Sequence, residues 1–240
     1  MLNERVKTNN GCGWTTNVTN PITDRMLGFV SERKTPMLLD VGAAFGVATI
    51  PALRLGAVVI ANDIDQGHLQ HIKQVASNEG LCSKLRVLAG RFPDIERLDG
   101  LDAVHCSNVL HFLSGEELKV AARFARACLK PNGQLFIQVG TPYLGHLRTF
   151  LPIYQDRIAR RIAWPGEIDS ARKIVPECIR PETPDFLHVL DMETLTPILE
   201  SSGFLIDYAA YYTRPGLPEI CRNDGRENLG IVATAVPARQ

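Results

Sequence analysis

The sequence predicts an α/β chain: a doubly wound, mostly parallel seven-stranded sheet with an antiparallel C-terminal hairpin and a helical insertion after the fifth strand. Three observations predict it. From residue 37 to residue 140, short apolar runs alternate with helical patterns, the texture of βαβ units in a sheet covered on both faces. The last two apolar runs have no helix between them and should pair antiparallel. Residues 144–190 are too long for a plain connection.

The elements follow in order. "MLLDV" (37–41) reads as the first strand, "ATIPALRLG" as a helix and "AVVIAN" (57–62) as the second strand. Asp65 stands where an N-cap belongs, before a helix over Gln66 to Glu79, and Gly80 ends it. "LRVLAG" (85–90) and "LDAVHCS" (101–107) are the third and fourth strands. Ser114 with Glu117 forms a capping box for a helix in which Leu118, Ala121, Ala122, Ala125 and Leu129 recur at helical spacing. "KPNG" (130–133) turns into the fifth strand, "GQLFIQVG" (133–140).

Within the insertion, "LRTFLPIYQDRIARRIAW" places Leu147, Leu151, Tyr154, Ile158 and Ile162 on one helical face, ahead of a Pro-rich segment. "METLTPILESSGF" is a helix closed by Gly203. "LIDYAAYYT" (205–213) and "LGIVATAV" (229–236) make the closing hairpin.

Composition narrows the class. A chain of 240 residues with 45% hydrophobic content can bury a full core, and the expectation is one domain spanning 1–240. Lys plus Arg is 26 and Asp plus Glu is 26, so the electrostatic footprint of a dedicated nucleic-acid binder is missing. The six cysteines are scattered singly, which argues against a zinc site or a disulfide framework and for a reducing compartment. "MLNERVKTNN" holds no apolar signal core and no run approaches membrane-spanning length, so a cytoplasmic protein is expected.

The turn after the first strand carries the chemistry. In "MLLDVGAAFG" Asp40 stands in the last turn of the strand, and Gly42, Ala43, Ala44 and Gly46 let a ligand approach the main chain closely. A dinucleotide fold shows G-x-G-x-x-G there, to cradle a pyrophosphate. Here the pattern is D-x-G-x-x-x-G, and an acid at that place suits a cationic ligand. Asp63 ends the second strand in "VVIANDID", about 20 residues on, where an acid accepts hydrogen bonds from ribose hydroxyls.

From about residue 35 to residue 236 the chain resembles the class I S-adenosylmethionine-dependent methyltransferases. "LLDVGAAFG" looks like their first motif and "VVIANDID" like their second. "LDAVHCSNVLHFL" is similar to their fourth-strand segment, "CLKPNGQLFI" to the turn and fifth strand, and "LTPILESSGF" to the helix before their hairpin. The resemblance implies S-adenosylmethionine as cofactor. It implies Asp40, Gly42 and Gly46 around the amino-acid end, Asp63 on the ribose and Ile64 against the adenine. Ser107, Asn108 and the turn toward His111 would lie beside the sulfonium and the substrate. Two positions depart from the pattern. Ala44 replaces a frequent glycine. Arg91 replaces a frequent acid and cannot accept a hydrogen bond from the adenine amino group, so backbone atoms of Arg91 or Phe92, or Asp94, would substitute.

Methyl transfer needs alignment and exclusion of water, and a general base only where the acceptor loses a proton. The candidate bases are His111 and His146. Tyr143 is a candidate to orient the substrate and Trp14, in the cover segment 1–36, to wall it. The 144–190 insertion leaves the fifth strand beside the methyl group and is the expected substrate cover. His68 and His71, spaced i,i+3, lack a third ligand and are expected on the solvated surface, so no metal is expected. "SNVL" stands where nucleic-acid amino-methylating relatives carry Asn/Asp-Pro-Pro-aromatic, which disfavours that chemistry. The expected acceptor is a small molecule. A protein acceptor, or a non-catalytic binding or regulatory partner, is the alternative. A nicotinamide-dependent reductase would want G-x-G-x-x-G without Asp40. The sequence gives no oligomeric state.

Overall fold

The computed structural model describes residues 5–9 and 14–237. A short antiparallel ribbon, β1 (Arg5–Lys7) and β2 (Trp14–Thr16), precedes helix α1 (Pro21–Ser31). The alternating units are β3 (Met37–Val41), α2 (Thr49–Arg54), β4 (Val58–Asp63), α3 (Gln66–Asn78), β5 (Leu85–Ala89), β6 (Leu101–Ser107), α4 (Gly115–Cys128) and β7 (Leu129–Gly140). The insertion holds α5 (Leu151–Ala159), β8 (Glu167–Ile168), α6 (Ala171–Ile174) and β9 (Leu187–His188). Helix α7 (Met192–Ser201) leads into β10 (Phe204–Tyr212) and β11 (Asn228–Ala235).

Among the described residues the main sheet has the order β10-β11-β7-β6-β3-β4-β5. The five strands β7, β6, β3, β4 and β5 run parallel, and β11 pairs antiparallel with both β7 and β10. Strand order reverses between β3 and β6, and ligands in open α/β sheets bind outside the carboxyl ends of strands at such a switch. One buried cluster joins α4 and α7 to the sheet through residues such as Leu118, Leu195, Val104 and Ile137. The other joins α1, α2 and α3 to the opposite face through Met26, Leu53, Ile72 and Val59. No helix of the described residues is long and apolar enough to cross a membrane.

Local chemistry fixes the element ends. Asp65 caps α3 through His68 N, and Ser114 and Glu117 make the reciprocal capping box of α4. Gly80 and Gly203 adopt the left-handed backbone that ends α3 and α7. Helix α1 was not anticipated within the expected cover segment. Asn20 Oδ1 accepts from Ile22 N and Thr23 N, Pro21 opens the first turn, and Ile22, Met26, Phe29 and Val30 are buried. Gly230 on β11 makes room, since a Cβ there would stand 2.5 Å from Ile22 Cδ1.

Two local expectations are corrected. The turn over 130–133 is a bulge within β7: register jumps from Leu101↔Leu129 to Ala103↔Gln134, and Asn132 is left-handed at φ 64. The inserted helix is shorter than the apolar stripe suggested. Leu147 lies in a preceding 3-10 turn, Arg161 turns left-handed at φ 56, and Ile158 and Ile162 are exposed. The buried face is Leu147, Phe150 and Tyr154, which share a small core with Ile168, Ala171, Val175 and Val189. This subcore is tied to the sheet by Gly115 N donating to Glu167 Oε1 (2.7 Å), His188 Nδ1 donating to Leu113 O (3.0 Å) and Leu190 N donating to Gly140 O (3.3 Å).

Candidate functional site

A cavity of about 470 Å³ opens at the carboxyl ends of β3, β4 and β6. Its floor is the loop after β3. Gly42 is left-handed at φ 65, and a Cβ there would meet Val109 Cγ2 at 2.3 Å, so only glycine fits. Ala44 is also left-handed, at φ 45, which costs a residue with a side chain about 1–2 kcal/mol and gives the frequent glycine at this position its reason. Gly42, Ala43 and Ala44 line the cavity. Gly46 does not: at φ 80 it turns toward Ile50 and Ile72, which a Cβ would crowd to 3.2 and 3.1 Å. Its glycine serves the seating of the loop on α2 and α3.

Asp63 is buried at the end of β4 and braces that loop. Its Oδ2 accepts from Ala44 N (2.8 Å), and its Oδ1 from Asp65 N (2.9 Å) and His68 Nδ1 (3.2 Å). His68 Nε2 accepts from Asn9 N (3.1 Å), which puts the imidazole proton on Nδ1. His68 is therefore not solvated, as its pairing with exposed His71 suggested. It is 1% exposed, edge-on to Phe45 and tied to the N-terminal segment. An ionised carboxylate offers about four acceptor positions, so Asp63 keeps one for a ligand hydroxyl. Beside it Ile64 is 59% exposed, an apolar side chain uncovered at the cavity wall.

Gly90, Arg91 and Phe92 continue that wall. Asn62 Nδ2 holds their backbone by donating to Leu88 O (2.9 Å) and Gly90 O (3.0 Å). The Arg91 guanidinium pairs with Glu117 (2.6 Å) on α4 and with Asp94 (3.1 Å), and Arg91 O accepts from Asp94 N (2.7 Å). Asp94 is thus committed to Arg91 and does not line the cavity. Of the substitutes expected for the missing acid, Arg91 and Phe92 line the cavity.

Under the loop lies a buried polar network that the sequence reading did not foresee. Asp40 accepts from Thr49 Oγ1 (2.6 Å) and from His105 Nδ1 (2.8 Å), and His105 Nε2 meets Thr23 Oγ1 (3.0 Å). Nearby, Asn20 Nδ2 donates to Ser107 Oγ (3.1 Å), Ser107 Oγ to Gln138 Oε1 (3.3 Å), and Gln138 Nε2 to Asn108 Oδ1 (2.7 Å). Ser107 and Asn108 are so fixed at the cavity, with Asn108 left-handed at φ 57.

The other end of the cavity is built by both expected covers. Thr15, Val18 and Thr19 come from the N-terminal segment, and Ile179, Thr183 and Leu187 from the 144–190 insertion. His111 and His146 line this end. His146 sits in a 3-10 turn, Gly145–Leu147, pressed so closely on the 219–222 loop that a Cβ on Gly145 would fall 2.2 Å from Arg222 O. Its Nδ1 is buried without a hydrogen-bond partner among the described residues. Tyr143 is not at the cavity. Its ring lies under the Arg226 guanidinium at 3.8 Å and edge-on to Tyr211, because the turn after β7 directs it toward the hairpin. The Trp14 side chain lies outside the described residues.

Burial holds His146 down to about 4, and burial with the nearby Arg214 charge does the same for His111. Both imidazoles are neutral at pH 7, with a lone pair free for a proton but a lower basicity than an ordinary histidine. Their charged forms favour the unfolded chain, whose imidazoles titrate near 6.5. Stability from this source is complete above pH 6.5 and is lost as pH falls toward 4. Urea unfolding at pH 7 and pH 5 is expected to show a loss on the order of 2 kcal/mol for each ring, and His146→Gln should remove its share of that slope.

Residues 38–133 match the family model of a methyltransferase domain. Among solved structures, the chain is similar to a SAM-dependent methyltransferase from Methanosarcina mazei, with a TM-score of 0.65 at 16% identity, covering 85% of this chain and 94% of that one. It is also similar to an S-adenosylmethionine-dependent methyltransferase from Mesorhizobium loti, with a TM-score of 0.60 at 17% identity, covering 89% and 97%. At such identities the likeness is one of fold. A curated relative, the histone-arginine methyltransferase CARMER of Drosophila persimilis, is 25% identical over 111 residues, 46% of this chain and 21% of that protein. The chain thus matches about a fifth of that relative's length.

Proposed function

We propose that this chain, which has the class I S-adenosylmethionine-dependent methyltransferase fold and carries a methyltransferase domain over residues 38–133, moves the cofactor's methyl group to a small-molecule acceptor. S-adenosylmethionine is the cofactor that the family and fold imply, and the cavity's own residues fit it. The cradle at Gly42 admits no Cβ, Asp63 has an acceptor position left, Ile64 offers an uncovered apolar face, and a buried acid lies under the loop where a cation belongs. When bound, the cofactor supplies an electrophilic methyl group on a sulfonium, open to in-line displacement.

The protein's part is to bind, orient and keep water out. Asp63 takes a ribose hydroxyl, with Ala44 N and His68 holding its carboxylate in place. Ile64 and Phe92 flank the adenine. Ser107 and Asn108, locked by Gln138, border the acceptor. His111 and His146 are the candidate bases for an acceptor that must lose a proton.

A single observation carries the small-molecule reading: besides the residues assigned to the cofactor, the cavity is walled by the N-terminal segment and the insertion, through Thr15, Val18, Ile179 and Leu187. Similarity to a histone-arginine methyltransferase supports a protein acceptor as the second reading. The described cysteines are free thiols, which supports a cytoplasmic setting.

The test is transfer of labelled methyl from S-adenosylmethionine to phenols, alcohols and amines, beside histone peptides. Label in the small acceptors is expected, with His146→Gln or His111→Gln lowering kcat about 100-fold at unchanged cofactor affinity. Label confined to peptides contradicts the small-molecule reading.

A further inference from the structure

Asp40 was expected to meet the amino-acid end of the cofactor itself. Its carboxylate is 1% exposed and both oxygens are engaged, Oδ2 by Thr49 Oγ1 and Oδ1 by His105 Nδ1. The group that follows along this chain of contacts is Thr23, on the first turn of α1, whose Oγ1 lies 3.0 Å from His105 Nε2. Thr23, His105 and Asp40 are each no more than 3% exposed, and all three line the cavity.

The direction of these hydrogen bonds follows from donor and acceptor counting. An ionised carboxylate has no proton to give, so the proton between Asp40 and His105 belongs to Nδ1. With His105 as the Nδ1–H tautomer, Nε2 carries a lone pair and the Thr23 hydroxyl donates to it. Thr23 Oγ1 is thereby spent as a donor. What it turns to the cavity is lone-pair density, with the Asp40 charge behind it.

We propose that Thr23 Oγ1 is the acceptor that receives the α-ammonium of S-adenosylmethionine, with His105 and Asp40 as positioning residues that act through it. The inference rests on the cofactor reading above. It gives the buried network a purpose: an ammonium finds an acceptor and a buried anion, whereas a carboxylate in the same place would face lone pairs and like charge. The two ends of the amino-acid group are so distinguished. It also accounts for residues that the loop motif does not contain, since Thr23 and His105 come from α1 and β6.

Calorimetric titration with S-adenosylhomocysteine, its desamino analogue and 5′-methylthioadenosine tests this. The last lacks the amino-acid group altogether. Thr23→Val should weaken S-adenosylhomocysteine roughly tenfold or more and leave methylthioadenosine affinity unchanged, and Thr23→Ser should restore binding. Should the valine variant not fold, the wild type decides: it should bind the desamino analogue more weakly than the parent by a similar factor. Equal affinity of the wild type for the two, unchanged S-adenosylhomocysteine binding by Thr23→Val, or equal loss of both adenosyl ligands overturns the proposal. A wild type that binds neither S-adenosylhomocysteine nor methylthioadenosine overturns the cofactor reading, and this inference with it.

Discussion

His105→Ala is expected to destabilise the protein by about 3–5 kcal/mol, from the lost hydrogen bond to a buried carboxylate and the cavity the ring leaves. The ring lies between β6 and β3, 3% exposed, and donates to a carboxylate that is 1% exposed. Removing it leaves Asp40 with Thr49 alone and opens a cavity beneath the loop. The cause is charge as much as volume, and a second substitution separates the two. Adding Asp40→Asn removes the stranded charge and should recover part of the loss, whereas a pure packing defect would stay. Urea unfolding of the wild type, the single and the double variant measures both numbers in one series.

Asp63→Ala is expected to reduce cofactor affinity by about 10–100-fold, the loss of a hydrogen bond between a ribose hydroxyl and a charged acceptor. The variant also strips Ala44 N, Asp65 N and His68 Nδ1 of their acceptor. Unsatisfied buried donors cost roughly 1–3 kcal/mol each, so the loop after β3 and the first turn of α3 should loosen together. The N-terminal segment is part of this unit, because Asn9 N donates to the same His68. Hydrogen exchange at Ala44 and Asp65 should rise in Asp63→Ala while the amides of β7 and β11 stay protected. Unchanged cofactor affinity would remove Asp63 from the ribose role, whatever the stability.

Much of the sheet is legible in the sequence because buried parallel strands are continuous apolar runs with acids or turn residues at their ends. "MLLDV" and "LDAVHCS" coincide with β3 and β6 to the residue. The caps at Asp65 and Ser114 are equally local, each a side chain reaching a backbone N–H within one turn. Helix α1 had its signals too, in Asn20, Pro21 and the spacing of Ile22, Met26, Phe29 and Val30, yet only the short β1–β2 ribbon precedes it, with no strand of the main sheet to announce an alternating unit.

Partnerships across the sequence are what local patterns do not carry. Thr23 and His105 are 82 positions apart and His105 and Asp40 are 65 apart, and only the side-by-side pairing of β3 and β6 with α1 laid across them brings the three together. His68 and His71 were both expected on the surface for want of a third metal ligand, but the turn from β4 folds α3 back so that His68 meets Asp63. The apolar period through Ile158 and Ile162 outran the helix for the opposite reason: beyond Tyr154 that face is left nearly half exposed, at 47% for Ile158 and 45% for Ile162. At Tyr143 proximity in sequence to the fifth strand's end suggested the site, and the direction of one turn takes the ring elsewhere.

The central claim is that the cavity at the ends of β3, β4 and β6 holds S-adenosylmethionine. Calorimetric titration of the wild-type protein with S-adenosylmethionine, and separately with NADH, tests it most directly. Saturable binding of S-adenosylmethionine at one site per chain, with no heat from NADH, is the predicted result. Binding of NADH, or no binding of S-adenosylmethionine, would contradict it.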